Sequence, residues 1–149
     1  MAAITVTAIE LGDDAEVVFG QAGETIGLGD AVYLDTGGGN KWKKCVIATG
    51  SGATALKAGR DGVGIALTAV TVADRYMVVV TSGTIYINTL GGSADGETYI
   101  AGGSAAGDIN PVADAATTWY KTTLGTGGAD TTSYDEFILE PNASGKIVP

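Results

Sequence analysis

Few residues in this chain are of the types that carry out acid–base, nucleophilic or metal chemistry. The 149 residues contain no histidine and a single cysteine, Cys45. Histidine is the commonest general base and the commonest metal ligand in proteins, so its absence removes both options together. One thiol can form neither an intramolecular disulfide nor a thiolate metal site. We therefore expect no catalytic residue, no metal site, no cofactor and no enzymatic activity.

Two clusters of charged residues could still bind ions. The first supplies carboxylates for a calcium ion at Asp13, Asp14 and Glu16, but the spacing does not match an EF-hand loop and favours a solvated turn. The second follows a triple glycine at residues 37–39 and consists of Lys41, Lys43 and Lys44. A glycine-rich loop can bind phosphate, yet neither a helix pattern nor a P-loop motif follows this one. We expect a solvated hairpin tip here.

The charge balance restricts the partners of the protein. The formal net charge is −9, although only 17% of the residues are charged. Because nucleic-acid binding depends on lysine and arginine side chains that neutralise phosphates, we expect no nucleic-acid partner. No segment has the length and hydrophobicity of a membrane span, and the N-terminus lacks the features of a signal peptide. We therefore expect synthesis in a cytosol and no membrane contact.

Short runs of β-branched and aromatic residues, separated by glycine, aspartate or serine, predict an all-β protein. In the most regular stretch, residues 62–88, we expect a meander of three strands. Its first strand alternates apolar and small residues at residues 63–67, and the apolar run at residues 77–80 is typical of a strand covered on both faces. A turn at residues 81–83 then leads to a third strand that begins at Thr84.

The segment before this meander predicts a β-hairpin with strands at residues 31–34 and 42–47 and a glycine-rich tip at residues 37–40. We expect residues 22–35 and 62–87 to form one barrel-like core. Its interior would hold Ile26, Val32, Leu34, Ile65, Leu67, Val78, Val80 and Ile85. The remaining segments are predicted as a flexible connection at 48–60 with at most one helical turn, a loop at 108–116, a strand at 117–124, a loop at 125–133, a strand at 134–140 and a turn at 141–145.

The chain divides into three predicted regions. Residues 1–21 form an N-terminal strand or arm, residues 22–92 the main β domain, and residues 93–149 a C-terminal β-module or elaboration packed on that domain. The predicted architecture is a compact β-barrel or β-clip-like domain of short strands and hairpins. Residues 96–100 repeat the order of residue types found at residues 29–34. A diverged internal duplication and the ordinary likeness of glycine-rich hairpins explain this repetition equally well.

Five residues are candidates for an interface with a partner or another subunit: Ile4, Val6, Trp42, Trp119 and Tyr120. The first two alternate with threonines in residues 2–10, which fits an edge strand. That strand is either an arm that pairs with a neighbouring chain or the first strand of its own domain. An exposed tryptophan would mark an interface, whereas the scarcity of phenylalanine favours tryptophans that fill the core.

Three segments, taken in order, resemble the capsid cement or decoration proteins of tailed bacteriophages. They are AGETIGLGDAVYLD at residues 22–35, DGVGIALTA at residues 61–69 and VVVTSGT at residues 78–84. Together they span roughly the first two thirds of the chain. The resemblance implies a β-rich domain similar to the β-clip group that clamps the outside of a mature shell. The region after Ile100 departs from the shorter pattern of such proteins.

The resemblance also implies a function and partners. The protein would be a virion component, located on the capsid exterior, that binds the major capsid protein and stabilises the shell, with a homotrimer as the favoured oligomer. The alternative is a phage surface-binding module, either a head fibre or a carbohydrate-contacting domain in which Trp42, Trp119 and Tyr120 stack on sugars. A third hypothesis is a β-clip enzyme such as a nucleotide hydrolase, for which Arg60, Asp61 and Arg75 are the only candidates and have no specific spacing.

Overall fold

A computed structural model of the chain describes residues 5–45, 63–90, 96–101, 105–112, 120–130 and 134–147. Within these ranges the chain contains ten β-strands and no α-helix. The strands are β1 Thr5–Leu11, β2 Glu16–Ala22, β3 Ala31–Asp35, β4 Lys41–Lys44, β5 Gly64–Ala66, β6 Tyr76–Leu90, β7 Thr98–Ala101, β8 Ile109–Pro111, β9 Tyr120–Asp130 and β10 Asp135–Ile147. The predicted all-β class is confirmed. The predicted connection at residues 48–60 lies outside the described residues.

Strand β6 is the element on which the other strands assemble. It is 15 residues long, and β2 and β5 pair antiparallel with its first half while β1 and β10 pair antiparallel with its second half. The predicted turn at residues 81–83 is therefore wrong. Gly83 has a φ of 99°, a left-handed conformation that glycine adopts readily, and the chain continues without reversing. A single strand replaces the last two strands of the predicted meander.

The left-handed residue changes which face of β6 is buried. Val80 and Ile85 both lie in the same core, although an odd separation in a regular strand places side chains on opposite faces. The acidic turn between β1 and β2 holds this irregularity in place. The backbone N–H of Thr84 donates to Asp14 Oδ1 at 2.9 Å, and the N–H of Gly12 donates to the Thr84 carbonyl at 2.8 Å. The predicted solvated turn therefore also binds the backbone of β6 at Thr84, next to the left-handed Gly83.

The strands form one continuous sheet in the order β2-β4-β3-β5-β6-β10-β9-β7-β8, with β1 paired to β6. β2 returns to β4 through only two parallel residue pairs. The sheet does not close into a barrel, so the barrel part of the prediction is wrong. Beyond β6 the strands extend outwards and end at β8, which contains Pro111; proline lacks the N–H that a further strand would need. Likeness to the β-clip group stays a prediction.

Two hydrophobic cores replace the single predicted core. The large core consists of Val6, Ala31, Tyr33, Cys45, Val63, Ile65, Val80, Ile85, Ile87, Tyr99, Ile100, Ala101, Ile109, Leu124, Phe137 and Leu139. The small core consists of Ala22, Ile26, Val32, Trp42, Ala66, Val70, Met77 and Val79. The division follows from the sheet, because neighbouring residues of a strand point to opposite faces. On β6, Met77 and Val79 face the small core and Val80 faces the large core.

The predicted interior residues are divided between these cores. Ile26 and Val32 belong to the small core, and Ile65, Val80 and Ile85 belong to the large core. The other three are only partly buried: Leu34, Leu67 and Val78. Residues from the C-terminal third contribute directly to the large core. β10 pairs with β6, β9 pairs with β10, and β7 pairs with β9, so these strands extend the same sheet.

The glycine-rich segment after residue 124 is a strand as far as Asp130, which corrects the predicted loop. Gly125 lies on β9 beneath the ring of Phe137, and a Cβ atom at this position would come within 2.7 Å of the ring atom Cε1. The glycine therefore allows the backbone of β9 and the aromatic ring on β10 to approach each other closely. β10 also continues to Ile147, so the predicted turn at residues 141–145 is wrong.

Candidate functional site

Two predicted interface residues are buried within their own domain. Val6, 8% exposed, faces the large core from β1, and Trp42, 3% exposed, fills the small core from β4. Neither side chain offers surface to a partner, so their assignment to an interface is wrong. Ile4 and Trp119 lie outside the described residues, and Tyr120 is the first residue of β9.

The N-terminal segment is a strand of its own domain from Thr5 onward. β1 pairs antiparallel with β6 of the same chain, from Thr5 opposite Leu90 to Leu11 opposite Ile85. The alternation seen in the sequence places Val6 inward, with a register irregularity between Val6 and Ala8. The prediction of an arm that pairs with another chain is therefore wrong for the described part of this segment.

The lysine cluster does not form an anion site. The predicted hairpin is confirmed, since β3 and β4 pair from Asp35 opposite Lys41 around the glycine-rich tip. Lys43 Nζ lies 3.0 Å from Asp35 Oδ2, and this hydrogen bond raises the pKa of the Lys43 ammonium. Lys41 pairs with Asp74. These ion pairs hold the hairpin and its neighbouring loop together and engage two of the three lysines with carboxylates of the same chain.

The buried ionisable groups serve the fold. Cys45 is completely buried in the large core, and burial raises the pKa of its thiol, so the reactive thiolate is disfavoured. Burial also raises the pKa of the Asp30 carboxyl, whose Oδ2 accepts a hydrogen bond from the Gly27 N–H at 2.7 Å. Among the residues that the structure describes, no group of three or more acidic or cysteine side chains is placed to hold a metal ion.

The most unusual surface lies on β2 and the adjoining start of β6. Phe19 is 77% exposed and Tyr76 is 79% exposed, while Val17 and Val18 are each exposed by more than a third. We call these four residues the apolar edge. Phe19 lies opposite Val78 and Tyr76 lies opposite Gln21, so the two aromatic side chains project from the same face as diagonal neighbours. Such a concentration of exposed aromatic and β-branched side chains is typical of a binding surface.

The apolar edge also borders an open side of the sheet. Within the described part of the chain, residues 16–20 pair with β6 alone, because β2 reaches β4 only at Gln21 and Ala22. The backbone groups on the outer side of residues 16–20 are therefore available to another strand. The run Val17-Val18-Phe19 was not predicted to be a site. The available signal was an unbroken apolar run directly after an acidic turn.

The arrangement provides exposed contact area and, among the described residues, open backbone groups, both of which suit the binding of another chain. In the described ranges there is no helix of the length and apolar character needed to cross a membrane. Comparison of the chain with protein-family models, with curated proteins and with solved structures finds no match. The functional conclusion therefore depends on the sequence resemblance and on the geometry of this surface.

Proposed function

We propose that this chain is a structural virion protein that binds the outer surface of a tailed-phage capsid and stabilises the shell. The observation that carries the proposal is the apolar edge, a contact surface that the fold of the chain does not bury. The resemblance of residues 22–35, 61–69 and 78–84 to capsid cement proteins supplies the class of partner, the major capsid protein. The proposal also includes location on the capsid exterior and assembly as a homotrimer.

The architecture supports a passive, mechanically firm binder. β6 pairs with β2 and β5 in its first half and with β1 and β10 in its second half, and it contributes residues to both cores, so the described strands share one framework. Tyr99 and Phe137 pack with their ring centroids 5.5 Å apart in the large core, an arrangement that adds to the stabilisation from burial. A protein that reinforces a shell needs such a framework and an exposed contact surface, and it needs no chemistry.

The second candidate is a head fibre or carbohydrate-contacting surface module. Tyr76 favours it, because an exposed tyrosine on a sheet face can stack on a sugar ring. Trp42 does not take part, because it is buried in the small core. Binding of the purified chain to an array of bacterial surface glycans, abolished by Tyr76→Ala, would favour this candidate over shell binding.

Shell binding can be tested directly by sedimentation. The major capsid protein encoded nearest to the gene for this chain is assembled into shells, expanded, mixed with the purified chain and separated on a density gradient. We expect the chain to sediment with expanded shells and to raise their melting temperature. Shells that have not expanded serve as the control. A chain that stays at the top of the gradient with both kinds of shell contradicts the proposed function.

A further inference from the structure

The apolar edge combines two features that can bind a partner, namely exposed apolar side chains and unpaired backbone groups of a strand. Val17, Phe19 and Tyr76 form an apolar wall on one face of the sheet, and Val18 projects from the opposite face. The outer backbone of residues 16–20 forms an open strand edge in the described structure. An added strand would gain main-chain hydrogen bonds from the backbone and would bury alternate side chains against the wall. An unpaired strand with exposed apolar residues is a template for such pairing.

The charge around this edge favours a partner with basic side chains. Residues 1–40 contain seven acidic residues and no lysine or arginine. Four of the seven lie beside the edge in the sequence, at Glu10, Asp13, Asp14 and Glu16, and all four are exposed. Even where Asp14 and Glu16 bond to Thr84 and Ser82, those partners are neutral, so the negative charge is not cancelled. The edge thus combines apolar contact with a negative border at its Glu16 end, whereas the exposed Arg75 lies beside Tyr76 at the other end.

We infer that residues 16–20 of β2 bind an extended segment of a partner protein in which apolar residues alternate with lysine or arginine. The segment adds a strand to the outer side of β2, places its apolar side chains against Phe19 and Tyr76, and sets its basic side chains near Asp13 and Glu16. The inference rests on the proposed function only for the identity of that partner as a capsid protein. The chemistry of recognition comes from this chain alone.

A second copy of the chain fits this edge less well. It would bring the same acidic residues, Glu10, Asp13, Asp14 and Glu16, to the edge, with Arg75 beside Tyr76 as a basic neighbour, so an excess of negative charge would remain. Like charges between neighbouring strands are destabilising. A basic strand instead gains from charge attraction, which also guides the approach of the two proteins. The predicted binding therefore weakens as salt concentration rises.

The chemistry can be tested on the full-length chain without any shell. The probe is a fluorescent synthetic peptide of alternating valine and lysine, and the control peptide alternates valine and glutamate. We expect the lysine peptide to bind and the glutamate peptide not to bind. Equal binding of both peptides, or binding of neither, overturns the inference. Formation of a dimer by the free chain that Phe19→Thr abolishes also overturns it, because the occupant is then a second copy.

Variants locate the site. We expect Phe19→Thr and Tyr76→Thr each to weaken peptide binding by roughly tenfold or more, as for aromatic hot spots, and Asp13→Lys to weaken it and reduce its salt dependence. Threonine retains the preference for a strand. The matched controls are Ile138→Thr and Glu140→Lys on β10, both at exposed positions, which should leave binding unchanged. Equal effects of control and edge variants contradict the assignment.

The same variants separate this inference from the proposed function. If wild-type chain and edge variants sediment equally with expanded shells, the shell is bound elsewhere. The capsid protein is then not the partner of the apolar edge, and the proposed function stands. If the peptide results are as expected but no chain sediments with shells, the edge binds basic strands and the proposed function fails. Weaker sedimentation of the edge variants alone supports both.

Discussion

Strands β1 and β2 occupy equivalent positions and use their apolar residues in opposite ways. Each has seven residues and each pairs antiparallel with β6. β1 directs Val6 and Ile9 against the large core, whereas β2 leaves Val17, Val18 and Phe19 exposed and buries only its last residue, Ala22. Leu11, where β1 meets the acidic turn, is the one strongly exposed large apolar residue of β1.

The difference indicates that Val6 and Ile9 of β1 stabilise the fold more than Val17, Val18 and Phe19 of β2 do. Burial of apolar surface contributes about 25 cal/mol per Å² removed from water, and a residue that stays exposed contributes little of this. An exposed phenylalanine beside an exposed tyrosine therefore needs a reason other than stability. A partner that covers them is such a reason, and the comparison of the two strands can be tested at several positions.

The largest effect is expected beneath the β1 half of β6. Ile85 is completely buried opposite Leu11, and Ile85→Ala should lower the free energy of unfolding by about 2–5 kcal/mol, because it leaves a cavity in the large core. Val78 lies opposite Phe19 and is only partly buried, so Val78→Ala should cost less than about 1.5 kcal/mol. Urea unfolding of both variants measures the contrast, and equal losses would refute it.

The second largest loss of stability is expected at Gly83 of β6, opposite the turn that joins β1 and β2. Gly83→Ala places a Cβ atom on a left-handed residue and within 2.6 Å of Ala15 Cα. Strain of this kind costs about 1–3 kcal/mol, and the contact adds to it. Thermal melting should show the loss. Gly96→Ala is a matched control, because Gly96 also has a positive φ but no atom within 4 Å of the added Cβ. Its smaller loss would isolate the contribution of the contact.

Removing the inward residue of β1 should have an intermediate effect. Val6→Ala deletes two carbons from the large core and should cost about 1.6 kcal/mol at 0.8 kcal/mol for each buried methylene. Because Cys45 is buried in the same core, its reaction with a thiol reagent reports opening of that core. Labelling should accelerate in Val6→Ala and stay at the wild-type rate in Val17→Ala. Acceleration in both would mean that β1 and β2 support the core alike.

Alkaline pH perturbs the large core through the same cysteine. Burial raises the pKa of the Cys45 thiol above its ordinary value of 9.0, so only the unfolded chain releases this proton readily. Stability is therefore full below about pH 9 and falls as pH rises above it, by at most about 1.4 kcal/mol per pH unit for this group. Cys45→Ala should flatten the fall between about pH 8 and pH 10. An unchanged slope would show that the thiol does not contribute.

The smallest effect on stability is expected at the apolar edge itself. Phe19→Thr alters a residue that is 77% exposed and retains strand preference, so the free energy of unfolding should change by no more than about 0.5 kcal/mol. Calorimetry of this variant and of Ile138→Thr provides the measurement and its control. A loss above about 2 kcal/mol in Phe19→Thr alone would show that β2 also stabilises the fold.

Local patterns predicted the parts of the fold that local chemistry determines. The glycine-rich tip predicted the β3–β4 hairpin, and the β-branched runs predicted the class. The prediction of a turn at Gly83 was wrong, because a glycine after a serine can end a strand or allow it to change phase. The contacts that accompany the change of phase, from Asp14 and Gly12 to Thr84, come from a distant part of the sequence. The glycines of β9 led to the wrong prediction of a loop at residues 125–133. Glycine is needed at Gly125 because of the ring of Phe137, and that residue lies on another strand.

The candidate site was harder to predict than the fold. Val6 and Trp42 have side chains that suit an interface, and only the sheet shows that both point inward. Phe19 and Tyr76 are 57 positions apart in the sequence, and only the pairing of β2 with β6 places them side by side. Two features of the candidate site were visible in the sequence. Residues 1–40 contain no lysine or arginine, and an apolar run follows the acidic turn.

The most direct test of the central claim is cryo-microscopy of expanded shells decorated with this chain. We predict that residues 16–20 of β2 and Tyr76 face the capsid protein, with a strand of that protein running beside β2 and basic side chains near Asp13 and Glu16. The contrary result is a decorated shell in which Phe19 and Tyr76 face solvent and another surface of the chain contacts the capsid. In that case the apolar edge would not be the docking surface.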